Sequence, residues 1–154
     1  QYMLGASLLV APVLSFDGVV DYCLPAGRWT HFLSGKVLEG GRWVREQYDF
    51  LSLPLFVRPN SVIVVGDNDQ RPDYDYADGF TLRLYQLEEG AVVTTVVPAP
   101  DGSPAVTFTV SRKGTDVTIE WQGEPKNWRV ELIDDGGRVV APELGAQKLT
   151  VNLD

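Results

Sequence analysis

The chain has 154 residues, with 13 Lys and Arg against 21 Asp and Glu for a net charge of -8, and a pI near 4.6. That length holds one ordinary domain or two small ones and is too short for a (β/α)8 barrel, which needs roughly 200 residues or more. The acidic balance disfavours nucleic acid and an anionic membrane as partners, and 44% hydrophobic with 22% charged residues excludes disorder over the whole length.

The chain starts at Gln1, with no initiator Met or basic leader, and runs at once into Tyr2, Met3 and Leu4, as expected of a piece cut from a longer polypeptide. The apolar run from Leu8 to Leu14 is broken by Pro12, far short of the about 18 apolar residues of a membrane helix. Alternation with a period of two then predicts strands over 7–13, 19–24, 29–33, 42–48, 53–57, 62–65, 81–87 and 92–97. Cys23, in the second of these, is the one cysteine. It leaves no internal disulfide and no CxxC site, which fits a reducing, cytoplasmic compartment. Beyond residue 104, Val106, Phe108 and Val110 share a face, Arg112-Lys113-Gly114-Thr115 turns the chain, and Val117, Ile119 and Trp121 return. A second hairpin joins Trp128, Val130 and Leu132 to Val139 through Asp134-Asp135-Gly136-Gly137, and Leu149, Val151 and Leu153 supply a last strand.

One apolar and one polar face per strand predicts an all-β chain of two small antiparallel β-sandwich domains in tandem. Two boundaries present themselves, Glu88-Glu89-Gly90 and the proline-rich stretch 97–104. The first keeps the 92–97 strand with the hairpins that follow it and divides the chain into 1–88 and 89–154.

Serine chemistry finds no support, since Gly5-Ala6-Ser7-Leu8-Leu9 fails the G-x-S-x-G pattern at its last position and His31 is the only histidine, placed in a strand or turn. The segment from Gly35 to Gly40 continues as Gly41-Arg42 where a phosphate loop needs Lys-Ser, and is expected to be a hairpin turn. Asp67, Asp69, Asp73, Asp75 and Asp78 face only Arg71 nearby, but in 73–79 the third acid comes one place late for a calcium loop and Leu84 stands at its twelfth position. No metal site and no cofactor are expected. Tyr74 and Tyr76 in that loop have the chemistry to stack on a sugar ring or to pack on a neighbouring domain. Trp121 and Trp128 fall on apolar strand faces, whereas Trp43, among Arg42, Arg45 and Glu46, is expected to be half exposed and joins the two tyrosines as a candidate sugar contact.

Three segments carry a resemblance. Gln1-Tyr2-Met3-Leu4-Gly5-Ala6-Ser7-Leu8-Leu9-Val10-Ala11-Pro12-Val13 resembles the stretch that ends the catalytic barrel of glycoside hydrolase family 31 and leads into its C-terminal β-domains. Leu24-Pro25-Ala26-Gly27-Arg28-Trp29-Thr30-His31 with Ser34-Gly35 is similar to that family's LP-x-G-x-W hairpin, and Leu53-Pro54-Leu55-Phe56-Val57-Arg58-Pro59-Asn60-Ser61 to its LPL-(F/Y)-VR-x-(N/G)-S strand. Arg71-Pro72-Asp73-Tyr74 points to the bacterial α-xylosidase branch. The resemblance implies a retaining α-glycosidase with aspartate nucleophile and acid/base on the barrel, followed by proximal and distal β-sandwiches. No W-x-D-x-x-E follows Trp29, Trp43, Trp121 or Trp128, so no catalytic residue is assigned here and the chain alone is expected to be inactive. Residues 1–6 then correspond to the end of the barrel and a linker, and the barrel is the expected partner. Ala6 departs from the family, which often has an acid there. Without the barrel, Tyr2, Met3 and Leu4 are expected to be uncovered, leading to fraying of the first residues or self-association. The rival reading is a carbohydrate-binding module, which needs two or three aromatics on one flat face.

Overall fold

The computed structural model describes residues 1–143 and 145–154, which divide into two compact units, Gln1–Ser61 and Val62–Asp154. In the first unit the strands are β1 (Tyr2–Leu4), β2 (Leu8–Val10), β3 (Val19–Leu24), β4 (Arg28–His31), β5 (Val37–Glu39), β6 (Arg42–Gln47) and β7 (Leu55–Val57). They form a five-stranded sheet in the order β1-β2-β7-β4-β5 and a two-stranded ribbon, β3 with β6, with antiparallel pairing throughout. Alternation explains the ribbon's placement: Val20, Tyr22 and Leu24 point inward while Asp21 points to water. These three meet Leu9, Trp29 and Phe56 from the sheet, making a small sandwich with its own core.

Family-like segments have definite jobs in this unit. The Arg58 guanidinium donates to the Ala6 carbonyl (3.1 Å) and the Arg58 amide to the Ser7 carbonyl (3.0 Å), so the segment after β7 clamps the turn between β1 and β2. Asn60 follows with φ of 57°, a left-handed conformation that asparagine tolerates and glycine adopts freely, which is the physical content of an Asn/Gly position. The Trp29 indole donates to the Pro25 carbonyl (2.9 Å), closing the turn that introduces β4. Against that turn lies Gly40, where a β-carbon would overlap the Pro25 carbonyl oxygen.

The second unit contains β8 (Ser61–Gly66, from its second residue on), β9 (Asp78–Tyr85), β10 (Val92–Pro98), β11 (Pro104–Lys113), β12 (Asp116–Gly123), β13 (Lys126–Leu132), β14 (Arg138–Val140) and β15 (Lys148–Asn152), with a 3-10 turn at Ile133–Asp135. Two four-stranded sheets result, β10-β11-β12-β15 and β14-β13-β9-β8. Phe80 and Trp128 from one sheet meet Phe108 and Trp121 from the other: Trp128 lies 4.9 Å from both Phe108 and Trp121 and stacks on Phe80 at 6.0 Å. This is the centre of a single apolar cluster between the sheets. Among the described residues there is no α-helix, and no helix long and apolar enough to cross a membrane.

All-β architecture is as expected, with four differences. The division falls after Ser61 and not at Glu88–Gly90, because β9 pairs with β13, Phe80 opposite Trp128 and Leu82 opposite Val130, which commits 78–85 to the second sandwich. That pair is parallel, so the second sandwich is not wholly antiparallel. Residues 35–40 are more than a turn: they contain β5, flanked by glycines. Residues 1–6 contain β1, hydrogen-bonded to β2 although all three of its side chains are exposed.

Trp29 is buried in the first core and also supplies the bond that closes its own turn. Trp29→Ala should cost about 3–5 kcal/mol, enough to unfold the first unit, whereas Trp29→Phe keeps the bulk and loses about 1 kcal/mol for the unpaired carbonyl. Urea titration followed by circular dichroism separates the two variants.

Candidate functional site

The acidic loop between β8 and β9 spends its charge locally. Asp67 faces Arg129 (3.3 Å), Asp75 faces Lys126 (3.7 Å) and accepts from the Ala77 amide (3.1 Å), and Asp78 accepts from the Asn127 side chain (2.7 Å). Three aspartates thus tie the loop to the first residues of β13. Among the described residues no group of three or more His, Cys, Asp or Glu side chains is placed to hold a metal ion.

Tyr76 packs against the second core and its hydroxyl donates to the Pro72 carbonyl (2.7 Å). Tyr74 meets it edge to face at 4.9 Å, and its hydroxyl lies where a β-carbon on Gly66 would be. Both rings are half-buried within their own unit. Trp43 lies in the other unit, 73% exposed on the outward face of β6, opposite Cys23 and next along that face from Arg45, which pairs with Asp21 at 3.0 Å. The two tyrosines thus share one loop of the second unit while Trp43 stands on β6 of the first, and of the three only Trp43 offers an open ring.

A polar cluster on the first unit has no counterpart in the sequence reading. Tyr22, fully buried on β3, donates to Glu46 Oε2 (2.6 Å), and Tyr48 donates to the same oxygen (2.8 Å). His31, buried at the end of β4, stacks on Tyr48 with ring centres 6.0 Å apart and meets Phe56 edge-on at 5.1 Å. Its Nδ1 accepts the Ser34 amide (3.2 Å), so the ring proton sits on Nε2, which donates to the Leu53 carbonyl (3.2 Å). Both nitrogens are therefore engaged in holding backbone. The register of β3 and β6, which sets Tyr22 opposite Val44, was the one available signal: it brings Glu46 beside Tyr22 on the inward face.

Burial pulls the Glu46 carboxyl upward, but the two phenol donors, helped by the Lys36 charge, outweigh it and hold it below the usual carboxylate value. Burial also raises the Tyr48 phenol to about 12, with Glu46 reinforcing the effect, and pushes Tyr22 up for the same two reasons. The unfolded chain protonates this glutamate near about 4.3, above the folded value, so its stabilisation is full above that pH and is lost as the pH falls through the folded value. Glu46→Gln should therefore be less stable than wild type at about pH 7, and the gap should close towards about pH 3. Urea melts across that range read the difference directly. Calcium should leave the melting temperature unchanged, since Asp67, Asp75 and Asp78 already have partners and no three acids of the described residues converge on one point; calcium titration in a thermal melt checks this.

Comparison with known proteins agrees with the architecture. The Glycosyl hydrolase family 31 C-terminal domain matches residues 1–63 and the C-terminal domain of the alpha-xylosidase YicI matches residues 75–153. The alpha-xylosidase XylQ of Lactiplantibacillus pentosus is 37% identical over 126 residues, 80% of this chain, and an alpha-xylosidase of Emericella nidulans is 33% identical over 78% of it. In each case the match spans only 16% of the relative's own length. Among solved structures, the family 31 alpha-xylosidase of Xanthomonas citri superposes over 99% of this chain and 18% of its own, with a TM-score of 0.63 and 25% identity. A Flavobacterium johnsoniae dextranase of the same family shares the fold over 86% of this chain and 19% of its own, at a TM-score of 0.67 and 19% identity. The chain therefore belongs to glycoside hydrolase family 31, as the C-terminal β-domain region of an α-xylosidase-like member.

Proposed function

We propose that this chain is a noncatalytic region of an α-xylosidase-like enzyme, in which its β-sandwiches support the catalytic barrel of the same polypeptide. The parent enzyme hydrolyses terminal α-xylosidic bonds with retention and works in the cytoplasm. The observation that carries this reading is the succession of the two family matches, 1–63 and 75–153, along a chain that spans about one sixth of its alpha-xylosidase relatives. The state of the side chains supports it. Retaining chemistry needs a carboxylate free to attack and a second free to pass a proton, whereas Glu46 is occupied by two phenols and Asp67, Asp75 and Asp78 by basic or amide partners. The competing role of a carbohydrate-binding module is weakened by Tyr74 and Tyr76 packing on their own unit.

The test is a direct assay. The purified 154-residue chain should release no phenol from an aryl α-xyloside, while the full-length polypeptide does so and yields the α-anomer first, as read by proton NMR. Turnover by the short chain that disappears on replacing one of its own carboxylates would overturn the reading, as would a full-length protein without α-xylosidase activity.

A further inference from the structure

Two crossings join the sheet and the ribbon of the first unit at one end. Residues 11–18 lead from β2 to β3, and residues 48–54 lead from β6 to β7. Their ends are set side by side by the pairings of Val10 with Leu55 and of Val19 with Gln47. Three bonds stitch them together: Ala11 N to the Pro54 carbonyl (3.0 Å), Tyr48 N to the Gly18 carbonyl (2.9 Å) and the Gln47 side chain to the Asp17 carbonyl (2.8 Å). Each crossing is also braced internally. Ser15 Oγ donates to the Val19 carbonyl (2.5 Å) and the Val19 amide to Asp17 (3.2 Å); Leu51 N (3.1 Å) and Ser52 Oγ (2.5 Å) donate to Asp49. His31 holds the second crossing from beneath through Leu53.

These braced turns point their large apolar side chains outward: Leu14 is 92% exposed, Phe16 111%, Phe50 101% and Leu51 87%. Four such side chains on two adjoining turns form an apolar patch of the kind that marks an interface. Because the turns are already fixed, little ordering entropy remains to be lost when the patch is covered.

We propose that the paired crossings 11–18 and 48–54 are the docking patch for the catalytic barrel, with Phe16 and Phe50 as its anchors in apolar pockets of the barrel surface. This rests on the reading above that a barrel precedes the chain. Two observations select that occupant over a second copy. First, β1 enters the sheet at the same end, Tyr2 pairing with Val10 at the start of the first crossing, and the side chains of β1 are exposed too. A body attached ahead of β1 is tethered beside the patch, and tethering raises its effective concentration far above that of a free partner. Second, Asp17 and Asp49 flank the patch. The Val19 amide holds Asp17 below the usual carboxylate range, and the Ser52 hydroxyl and Leu51 amide do so for Asp49. Two copies meeting face to face would oppose like charges, which disfavours a second copy as the occupant.

Covalent footprinting of the full-length polypeptide tests this with an internal reference. Val96 and Val139 are less exposed in the structure, 46% and 54%, so an uncovered patch must label at least as strongly as they do after correction for intrinsic reactivity. The expected result is that Leu14, Phe16, Phe50 and Leu51 label several-fold less. Labelling equal to or above the reference overturns the docking patch, as does footprint protection that disappears on dilution of a dimer. In the same polypeptide, Phe50→Ser combined with Leu51→Ser should shorten the half-life of α-xylosidase activity on heating by about tenfold with kcat and KM unchanged at room temperature. An unaltered half-life overturns the proposal. An active full-length enzyme whose patch labels freely refutes the docking patch alone, and an inactive one refutes the underlying functional reading.

Discussion

Three residues, Leu55–Val57, hold the first unit together. As β7 they take β2 on one side and β4 on the other, so β1 and β5 are attached to the sheet only through strands that β7 joins. Phe56 and Val57 are fully buried, and Phe56 also touches both rings that define the interior, Tyr22 at 5.5 Å and His31 at 5.1 Å. One short strand thereby couples the sheet ladder, the apolar core and the polar cluster. A strand of three residues supplies few hydrogen bonds of its own. The clamp by Arg58 on the preceding turn, and the hold of His31 on Leu53, fix the segments on either side of it.

The second unit solves the same problem with size. Its two sheets have four strands each, and its core is set by rings, Phe80, Phe108, Trp121 and Trp128, whose offset and edge-on contacts specify how the sheets face one another. The parallel pairing of β9 with β13 spans 48 positions between Leu82 and Val130, with all of β10 to β12 forming in between. A parallel pair needs such a crossover, and here the crossover is itself most of the opposite sheet. The ion pair of Arg83 with Glu131 (2.7 Å) lies across these same two strands and reinforces their register.

Where each strand has one wet and one dry face, alternation located it closely: β3, β10 and the cores of β11 and β12 are as the period of two requires. It failed where that contrast is missing. β1 is exposed on both faces, so Tyr2, Met3 and Leu4 read as a linker, and β5 has only Leu38 half-buried between two turns. The boundary was illegible for another reason: Glu88–Gly90 is a real turn, with Ala91 N bonded to the Glu88 carbonyl (3.0 Å), but nothing local shows that β9 pairs with a strand more than forty residues on. The family-like segments were legible because each carries a backbone demand, such as the positive φ of Asn60, while the Tyr22, Glu46 and Tyr48 cluster was not, since a glutamate in an alternating strand reads as its solvent face.

The first unit inverts the usual partition of a solvated loop. Several of its groups with acid, base or donor chemistry are turned inward, most of them to its own backbone: His31 to Leu53 and Ser34, Asp17 and Asp49 to the turns that contain them, and Arg58 to Ala6, while Glu46 is held by two tyrosine hydroxyls. Their lone pairs and protons are spent on shape, so little is left to act on a bound substrate. What faces outward from the same turns is apolar. Loops ordinarily place polar groups in water and keep large apolar side chains out of it. Here the polar groups make the turns stiff and the stiff turns hold apolar side chains in the open, an arrangement that lowers free energy only when another surface covers them. On the proposed function, such a region presents a fixed shape to the catalytic barrel of the same polypeptide, and the stiffness of its turns is what that role requires.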